Sequence, residues 1–324
     1  GFVGAAVLRQ LLKNGHKVKA LVRKSSVLQN LKGLDVEIVY GDLLDKNSLL
    51  KCLKNCKYLF HVAADYRLWV PKPKEIYENN VTGTENLMHG ALKLGIEKII
   101  YTSSVAALGQ ADDGYEANEE TPSAFHDKIG PYKQSKFLAE LEVLRMHKEQ
   151  SLPVVVVNPS APIGPGDVKP TPTGRLVLQA ANGQVPAYVD TGLNVVHVDD
   201  VAEGHFLALE NGKEGEKYIL GGENLSFLEI LTMIAEVSGR KPPSMQLPHN
   251  LVLPIAYIAE VWAKYISGKE PFANVDSVKM SKKPMYYSSE KAIMELGYRP
   301  RPVKEAFIDS IKWFDKHGYF KLMK

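Results

Sequence analysis

Tyr132 and Lys136 stand one helical turn apart in Tyr132-Lys133-Gln134-Ser135-Lys136, at the head of a stretch patterned as a helix over 132–148. Residues at i and i+4 share one helix face. A phenol has an unperturbed pKa of about 10. An ammonium held nearby stabilises the phenolate and makes a usable acid/base at neutral pH. Upstream, Tyr101-Thr102-Ser103-Ser104 closes a β-rich run over 98–102. A hydroxyl there sits at the carboxyl edge of a sheet, where it can hydrogen-bond a substrate oxygen. Either feature alone is common. A strand-end serine combined with a helical Tyr-x-x-x-Lys is equipment for hydride transfer at a carbon that bears oxygen.

A second group of residues suits a dinucleotide. Gly1-x-x-Gly4 opens an apolar helical pattern (Val3, Val7, Leu8, Leu11, Leu12) that stops at Asn14-Gly15. Glycines at a helix start let the backbone approach a pyrophosphate, which the helix N–H groups and dipole favour. Such a helix is normally fed by a strand, so a further apolar strand is expected ahead of Gly1. Val22-Arg23-Lys24 ends the run 17–22, where an acid would suit a free ribose 2′-hydroxyl and a cation suits a 2′-phosphate. Arg23 therefore points to NADP(H), with NAD(H) possible. Asp42, ending the run 36–40, could meet the adenine amine or cap the helix that follows.

The elements between these residues alternate. Strands are expected at 17–22, 36–40, 58–62, 98–102 and 154–157, and helices at 49–53, 76–94 and 132–148. Continuous apolar strands such as Val154-Val155-Val156-Val157 suit a sheet covered on both faces. Strict alternation implies a doubly wound parallel α/β sheet that binds ligands beyond its carboxyl edge. The proline-rich stretch from Pro159 to Pro172 reads as a loop or crossover. Residues 1–158, with 195–221 returning, form the expected dinucleotide-binding domain; 159–194 and 222–324 form a smaller, discontinuous substrate lobe.

Composition narrows the partners. The 324 residues carry 40 bases and 37 acids, a net charge of +3, with 45% apolar and 24% charged residues. That balance is globular, and without a basic run nucleic acid is a poor partner. The apolar stretch Leu251 to Ile266 is interrupted by Pro254, Glu260 and Lys264, too short and polar for a membrane span, and reads as a core or dimer helix. Cys52 and Cys56 make neither a disulfide framework nor a zinc site, and no secretory signal is visible, so a cytoplasmic protein is expected. His61, His197 and His205 lack metal-ligand spacing and read as histidines with satisfied hydrogen bonds.

With these residues in hand, the sequence resembles the extended short-chain dehydrogenase/reductase family over essentially its whole length. Gly1-Phe2-Val3-Gly4 resembles the tail of the TGxxGxxG signature. Asp42-Leu43 matches the adenine-binding pair, His61-Val62-Ala63-Ala64 the following loop, and Asn80-Val81-Thr82-Gly83-Thr84 the NVxGT helix. Val198-Asp199-Asp200-Val201-Ala202 and Leu296-Gly297-Tyr298-Arg299-Pro300 match downstream landmarks. Segments 62–69 and 170–175 look like the hopanoid-associated sugar epimerases, which are similar to dihydroflavonol reductases and 3β-hydroxysteroid dehydrogenases.

The resemblance implies Ser104, Tyr132 and Lys136 as the catalytic triad, with Lys136 also bonding the nicotinamide ribose. It implies cofactor contacts from Gly1, Phe2, Val3, Gly4, Arg23, Asp42, Leu43, Val62, Ala63, Ala64, Asn80, Thr102, Tyr132, Lys136, Pro159 and Ser160. Substrate walls are expected from Asp65, Tyr66, Trp69, Ser104, Ser160, Pro162, Arg175 and Tyr188. Family dehydratases carry an acidic pair after the serine strand; Val105-Ala106 has none, which argues against dehydration. Ala107-Leu108-Gly109 stands where sugar-nucleotide epimerases often carry a tyrosine. The expected enzyme moves a hydride at a secondary alcohol or ketone carbon of a sugar nucleotide or hopanoid-pathway type substrate, as an epimerase or a net reductase. The alternative of another class is a non-catalytic NADP-sensing module, which would have no need of all three triad residues.

Overall fold

The computed structural model describes all residues except 71, 112–114, 272–273 and 321–324. Helix α1 (Phe2–Lys13) is followed by β1 (Lys19–Val22), β2 (Glu37–Tyr40), α2 (Lys46–Leu53) and β3 (Tyr58–His61). Helix α3 (Pro73–Tyr77) passes through one wide π-turn at Glu78–Thr82 into α4 (Gly83–Leu94), so the helix expected from 76 to 94 is one rod with a locally underwound turn. Next come β4 (Lys98–Thr102), α5 (Gly130–Gln150), β5 (Val154–Pro159), β6 (Ala161–Ile163), α6 (Pro172–Ala181), β7 (Ala187–Tyr188) and β8 (Gly192–His197). The remainder comprises α7 (Val198–Asn211), β9 (Lys217–Leu220), β10 (Glu223–Ser226), α8 (Phe227–Ser238), β11 (Met245–Gln246), α9 (His249–Trp262), α10 (Val275–Met280), α11 (Glu290–Leu296) and α12 (Val303–Lys316).

The main sheet runs β3-β4-β5-β9, parallel throughout. Alternate residues of its apolar strands face opposite layers, as a two-fold side-chain period requires. Ile99, Tyr101, Val154 and Val156 pack with Leu87, Met88, Ala139 and Val143 of α4 and α5. Ile100, Val155 and Val157 pack with Val201 and Ala208 of α7 and Ala292 of α11 on the other face. This is the doubly wound arrangement. Strands β1 and β2 pair with each other in parallel, separately from the main sheet among the described residues. A cleft lined by residues of β1 and β3 runs between the two sheets and continues over the carboxyl edge.

Three local expectations are corrected. The proline-rich stretch after β5 is not all loop, because Ala161–Ile163 pairs in parallel with β8. Strand β6 has β8 as its neighbour in that sheet, and an edge strand tolerates Pro162. Strand β8, expected to rejoin the nucleotide-binding sheet, lies in the three-stranded sheet β10-β8-β6, whereas β9 does rejoin, beside β5. The helix at 251–266 is not core. Leu251, Ile258, Trp262, Tyr265 and Ile266 of α9 and the turn after it are exposed. No helix among the described residues is long and apolar enough to cross a membrane.

Two imidazoles are sealed between the layers. His205 Nδ1 meets the Val201 carbonyl at 2.7 Å, so that nitrogen carries the proton and Nε2 accepts from the Thr102 hydroxyl, also at 2.7 Å. His61 Nε2 meets the Thr84 hydroxyl at 2.8 Å. Burial pushes His205 down to about 4; burial, then the Lys136 charge, pushes His61 down to about 3. Both are neutral when folded, while an unfolded histidine titrates near ~6.5. Below that pH the unfolded chain binds protons that the folded chain refuses, so stability falls as the pH falls. The urea midpoint should therefore drop between about pH 7.5 and 5.5, and His205→Gln should shrink the drop. An equal drop in the variant would remove His205 as a cause.

Candidate active site

Strand β4 delivers Thr102, and the chain then turns at Ser104, whose hydroxyl accepts the Ala106 N–H at 3.1 Å. On the facing side α5 begins at Gly130, whose φ of +81° is a left-handed conformation that costs glycine little, and Pro131 suits a first helical turn. In its first turn, the Tyr132 phenol lies near the Ser104 side chain. The Lys136 ammonium donates to the Thr102 carbonyl at 2.8 Å and the Tyr101 hydroxyl at 3.4 Å, and lies over the Tyr101 ring at 4.9 Å. Glu140, one further turn along, accepts the Asn158 amide at 2.7 Å. The same amide nitrogen donates to the Ser104 carbonyl at 3.0 Å. The serine turn is thus tied to the helix that carries Tyr132.

The electrostatics differ from the expectation in one respect. Burial pushes Lys136 down to about 8, with Glu140 opposing the shift. Burial also raises the Tyr132 phenol, and the group that pulls it back is Ser104, not Lys136. The lysine was expected to lower the phenol pKa directly, but its ammonium is turned to the end of β4. An ammonium has three donors. Two are used by Thr102 and Tyr101, which leaves one.

The dinucleotide end fits the group that the sequence implies. Gly1, Phe2, Val3, Gly4, Arg23, Asp42, Leu43, Val62, Ala63, Ala64, Thr102, Pro159 and Ser160 all line one continuous cleft with Ser104, Tyr132 and Lys136. A Cβ at Gly1 would meet nothing within 4 Å, and one at Gly4 would make only ordinary contact with Val62 at 3.7 Å. Protein packing therefore does not demand these glycines, whereas a close ligand would. Opposite, the buried Ser160 hydroxyl has no hydrogen-bond partner among the described residues. The first-turn N–H groups of α1 add unpaired donors. The helix after Asp42 is capped by Asp45, whose carboxylate accepts from Asn47 and Ser48. Asp42 instead accepts the Leu44 N–H at 2.9 Å in its own turn.

Asn80 and Trp69 are not on the cleft. The Asn80 amide donates to the Asp65 carbonyl at 2.8 Å and to Ser135 at 3.0 Å, and its oxygen accepts the Asp65 N–H at 2.7 Å. With these groups engaged, it clamps the loop after β3 to α5 rather than touching a ligand. Trp69 is half-buried outside the cleft lining. Among the expected substrate residues, Asp65, Tyr66, Pro162, Arg175 and Tyr188 do line it. Asp65 is taken by Arg67 at 2.5 Å, and Arg175 pairs with Glu270 at 2.9 Å.

Three residues at the site escaped the sequence reading. Glu140 continues the Tyr132–Lys136 spacing by another four residues, a signal that was there to be used. Asn158 ends an apolar strand with a polar residue, a weaker signal. Asp167 lies in the proline-rich stretch and lines the cleft, fully buried. Burial pushes its carboxyl up to about 6 against the hydrogen bonds from Thr171, and its Oδ1 has no partner among the described residues.

Fold and site together define a dinucleotide-dependent enzyme of the doubly wound class. Residues 1–221 match the NAD dependent epimerase/dehydratase family, and the chain belongs to that family of extended short-chain NAD(P)-dependent epimerases, dehydratases and reductases. A Synechocystis sp. protein named "Putative dihydroflavonol 4-reductase" is 46% identical over 325 residues, covering 99% of this chain and 94% of the relative. "Sterol demethylase protein B" of Methylococcus capsulatus is 32% identical over 319 residues, covering 98% and 97%. The crystal structure of gox2253 superposes with a TM-score of 0.90 at 53% identity, covering 99% of this chain and 97% of that one.

Proposed function

We propose that this protein is an NADP(H)-linked oxidoreductase that interconverts a secondary alcohol and its ketone on a largely apolar carbon skeleton. The observation that carries the reading is the convergence of Ser104, Tyr132 and Lys136 on one wall of the cleft. Beyond Tyr132 that cleft is lined by Pro162, Leu176, Leu193, Phe227, Val252 and Met285, a surface suited to a hydrocarbon framework. The names of the two curated relatives, a dihydroflavonol reductase and a sterol demethylase component, support net redox chemistry on ring-rich substrates over sugar epimerisation.

Bound nicotinamide supplies or takes up the hydride. In the reducing direction the Tyr132 Oη–H gives its proton to the oxygen that forms as the carbonyl is reduced; in oxidation the phenolate takes the alcohol proton. The Ser104 hydroxyl donates to the same substrate oxygen and orients it against Tyr132. Lys136 has one donor left for the ribose. Gly1, Gly4 and the first turn of α1 would hold the pyrophosphate, Ser160 would meet the cofactor from across the cleft, and Asp42 and Leu43 would border the adenine.

At the end of β1, Arg23 starts a turn closed by Ser26, whose hydroxyl accepts the Arg23 N–H at 3.0 Å, and its guanidinium has no ion pair among the described residues. That cation is available to a ribose 2′-phosphate. NADPH should bind more tightly than NADH, and Arg23→Ala should shrink the margin by roughly tenfold or more, the worth of a charged hydrogen bond. Equal binding of the two cofactors by the unaltered protein would refute the role given to Arg23.

Tyr132→Phe removes one hydroxyl, leaves the ring in place and spares Lys136. Turnover should fall by about 10²–10⁴, the usual contribution of a positioned acid/base, while cofactor affinity measured by fluorescence titration barely moves. Lys136→Met should weaken both, because it removes the ribose donor and the bond to the Thr102 carbonyl that holds α5, and with it Tyr132, against the end of β4. Intact turnover in Tyr132→Phe would end this mechanism. Loss of redox activity toward every alcohol and ketone, with cofactor binding kept, would favour a nucleotide sensor.

A further inference from the structure

Helix α5 buries a second lysine that the mechanism does not use. Lys133 is only 8% exposed and lines the cleft. Its ammonium reaches the Met285 sulfur at 3.4 Å and has no carboxylate partner among the described residues. A thioether is a weak acceptor, a poor reward for an enclosed cation. Burial pushes the ammonium down to about 8, and the charge of Lys128 pushes the same way. A long side chain free to reach water would ordinarily do so. This one stays inside, beside the tyrosine.

Its direction matters. One residue along a helix is a rotation of about 100°, so Lys133 lies at the Glu140 edge of the face that Tyr132, Lys136 and Glu140 share. Met285 belongs to the segment that pairs with β8, where its carbonyl accepts the Asn194 N–H at 2.8 Å. Lys133 therefore spans from the nucleotide-binding domain toward the smaller lobe, where Leu193 and Phe227 also line the cleft. That is the substrate end, not the ribose end.

We propose that Lys133 receives an anionic oxygen group, carboxylate or phosphate, carried by the substrate close to its reacting carbon. This rests on the reading of Tyr132 as the acid/base at a substrate alcohol. The anion would replace the thioether as the partner of the ammonium, and the enzyme would select acidic substrates over neutral ones of the same shape. The bland alternative is that Lys133 merely joins α5 to the Met285 segment.

The test uses trans-2-hydroxycyclohexanecarboxylate, its methyl ester and trans-2-hydroxycyclohexyl phosphate as oxidation substrates with NADP⁺. In the unaltered enzyme kcat/KM should favour an anionic probe over the ester by about 10- to 100-fold, as one charge-assisted hydrogen bond provides. The better of the two anions identifies the group. Lys133→Met should collapse that ratio, and Lys133→Arg should keep most of it. A ratio unchanged in Lys133→Met, or a preference for the ester in the unaltered enzyme, would overturn the proposal. Calorimetry separates this from the function it rests on: with NADP⁺ present, cyclohexanecarboxylate or cyclohexyl phosphate should bind better than cyclohexanecarboxamide, and Lys133→Met should lose the difference. Anion binding without turnover of any alcohol would refute the oxidoreductase reading and leave Lys133 standing. Turnover of the ester with no anion preference would refute Lys133 alone.

Discussion

The ammonium of Lys136, enclosed between β4 and α5, donates to the Thr102 carbonyl at 2.8 Å. Thr102 is the last residue of the strand, so this bond pins the helix to the carboxyl edge of the sheet at the place where Ser104 leaves it. A buried charge without partners would be costly. Here the strand-end carbonyl and the Tyr101 hydroxyl meet it from one side, and Glu140 supports it from the next helical turn. The position of Tyr132 opposite Ser104 follows from that anchor, and Asn158 reinforces it by bonding to both Glu140 and the Ser104 carbonyl.

The rest of the architecture serves to hold that edge open. Strands β4 and β5 are buried on both faces, so the sheet gives the strand ends a rigid base. The loop after β3 is held to α5 through Asn80, which keeps Val62, Ala63 and Ala64 along the cleft. Glycine at position 83 lets the underwound turn of the preceding helix approach Leu43 closely; a Cβ there would stand 2.8 Å from the Leu43 Cβ. Residues of the smaller sheet and its helices line the far end of the cleft.

Much of this was legible in the residues. The alternation of strands and helices, the strand-end serine and the Tyr-x-x-x-Lys turn are local patterns, and local patterns survive into the structure because each maps to one element and one face. What resisted reading depends on partners distant in sequence. Pro162 in a strand needs to be an edge position, which the chain does not announce. Strand β8 looks like any apolar strand, and its pairing with β6 and β10 rather than the main sheet is a tertiary choice. Asn80 carried a motif but not its destination: its amide could as well have met a ligand. The direction of the Lys136 ammonium, toward Thr102 rather than Tyr132, depends on where the helix sits over the strand. Hydropathy alone marks α9 as a core or dimer helix, since an apolar stripe does not say what covers it; in the fold that face is exposed.

The proposed chemistry rests on Tyr132 as the proton-transfer group and on Ser104 as its partner. Burial raises the phenol and the neighbouring Ser104 side chain pulls it back. The most direct measurement is the pH profile of kcat/KM for alcohol oxidation in the unaltered enzyme and in Ser104→Ala. Oxidation needs the phenolate, so the rate should climb with pH through an apparent pKa that reports the free enzyme. Removing the serine hydroxyl should move that limb to higher pH as well as lower the plateau. A limb that stays in place, or moves to lower pH, would contradict the pairing of Ser104 with Tyr132 and with it the proposed chemistry of the site.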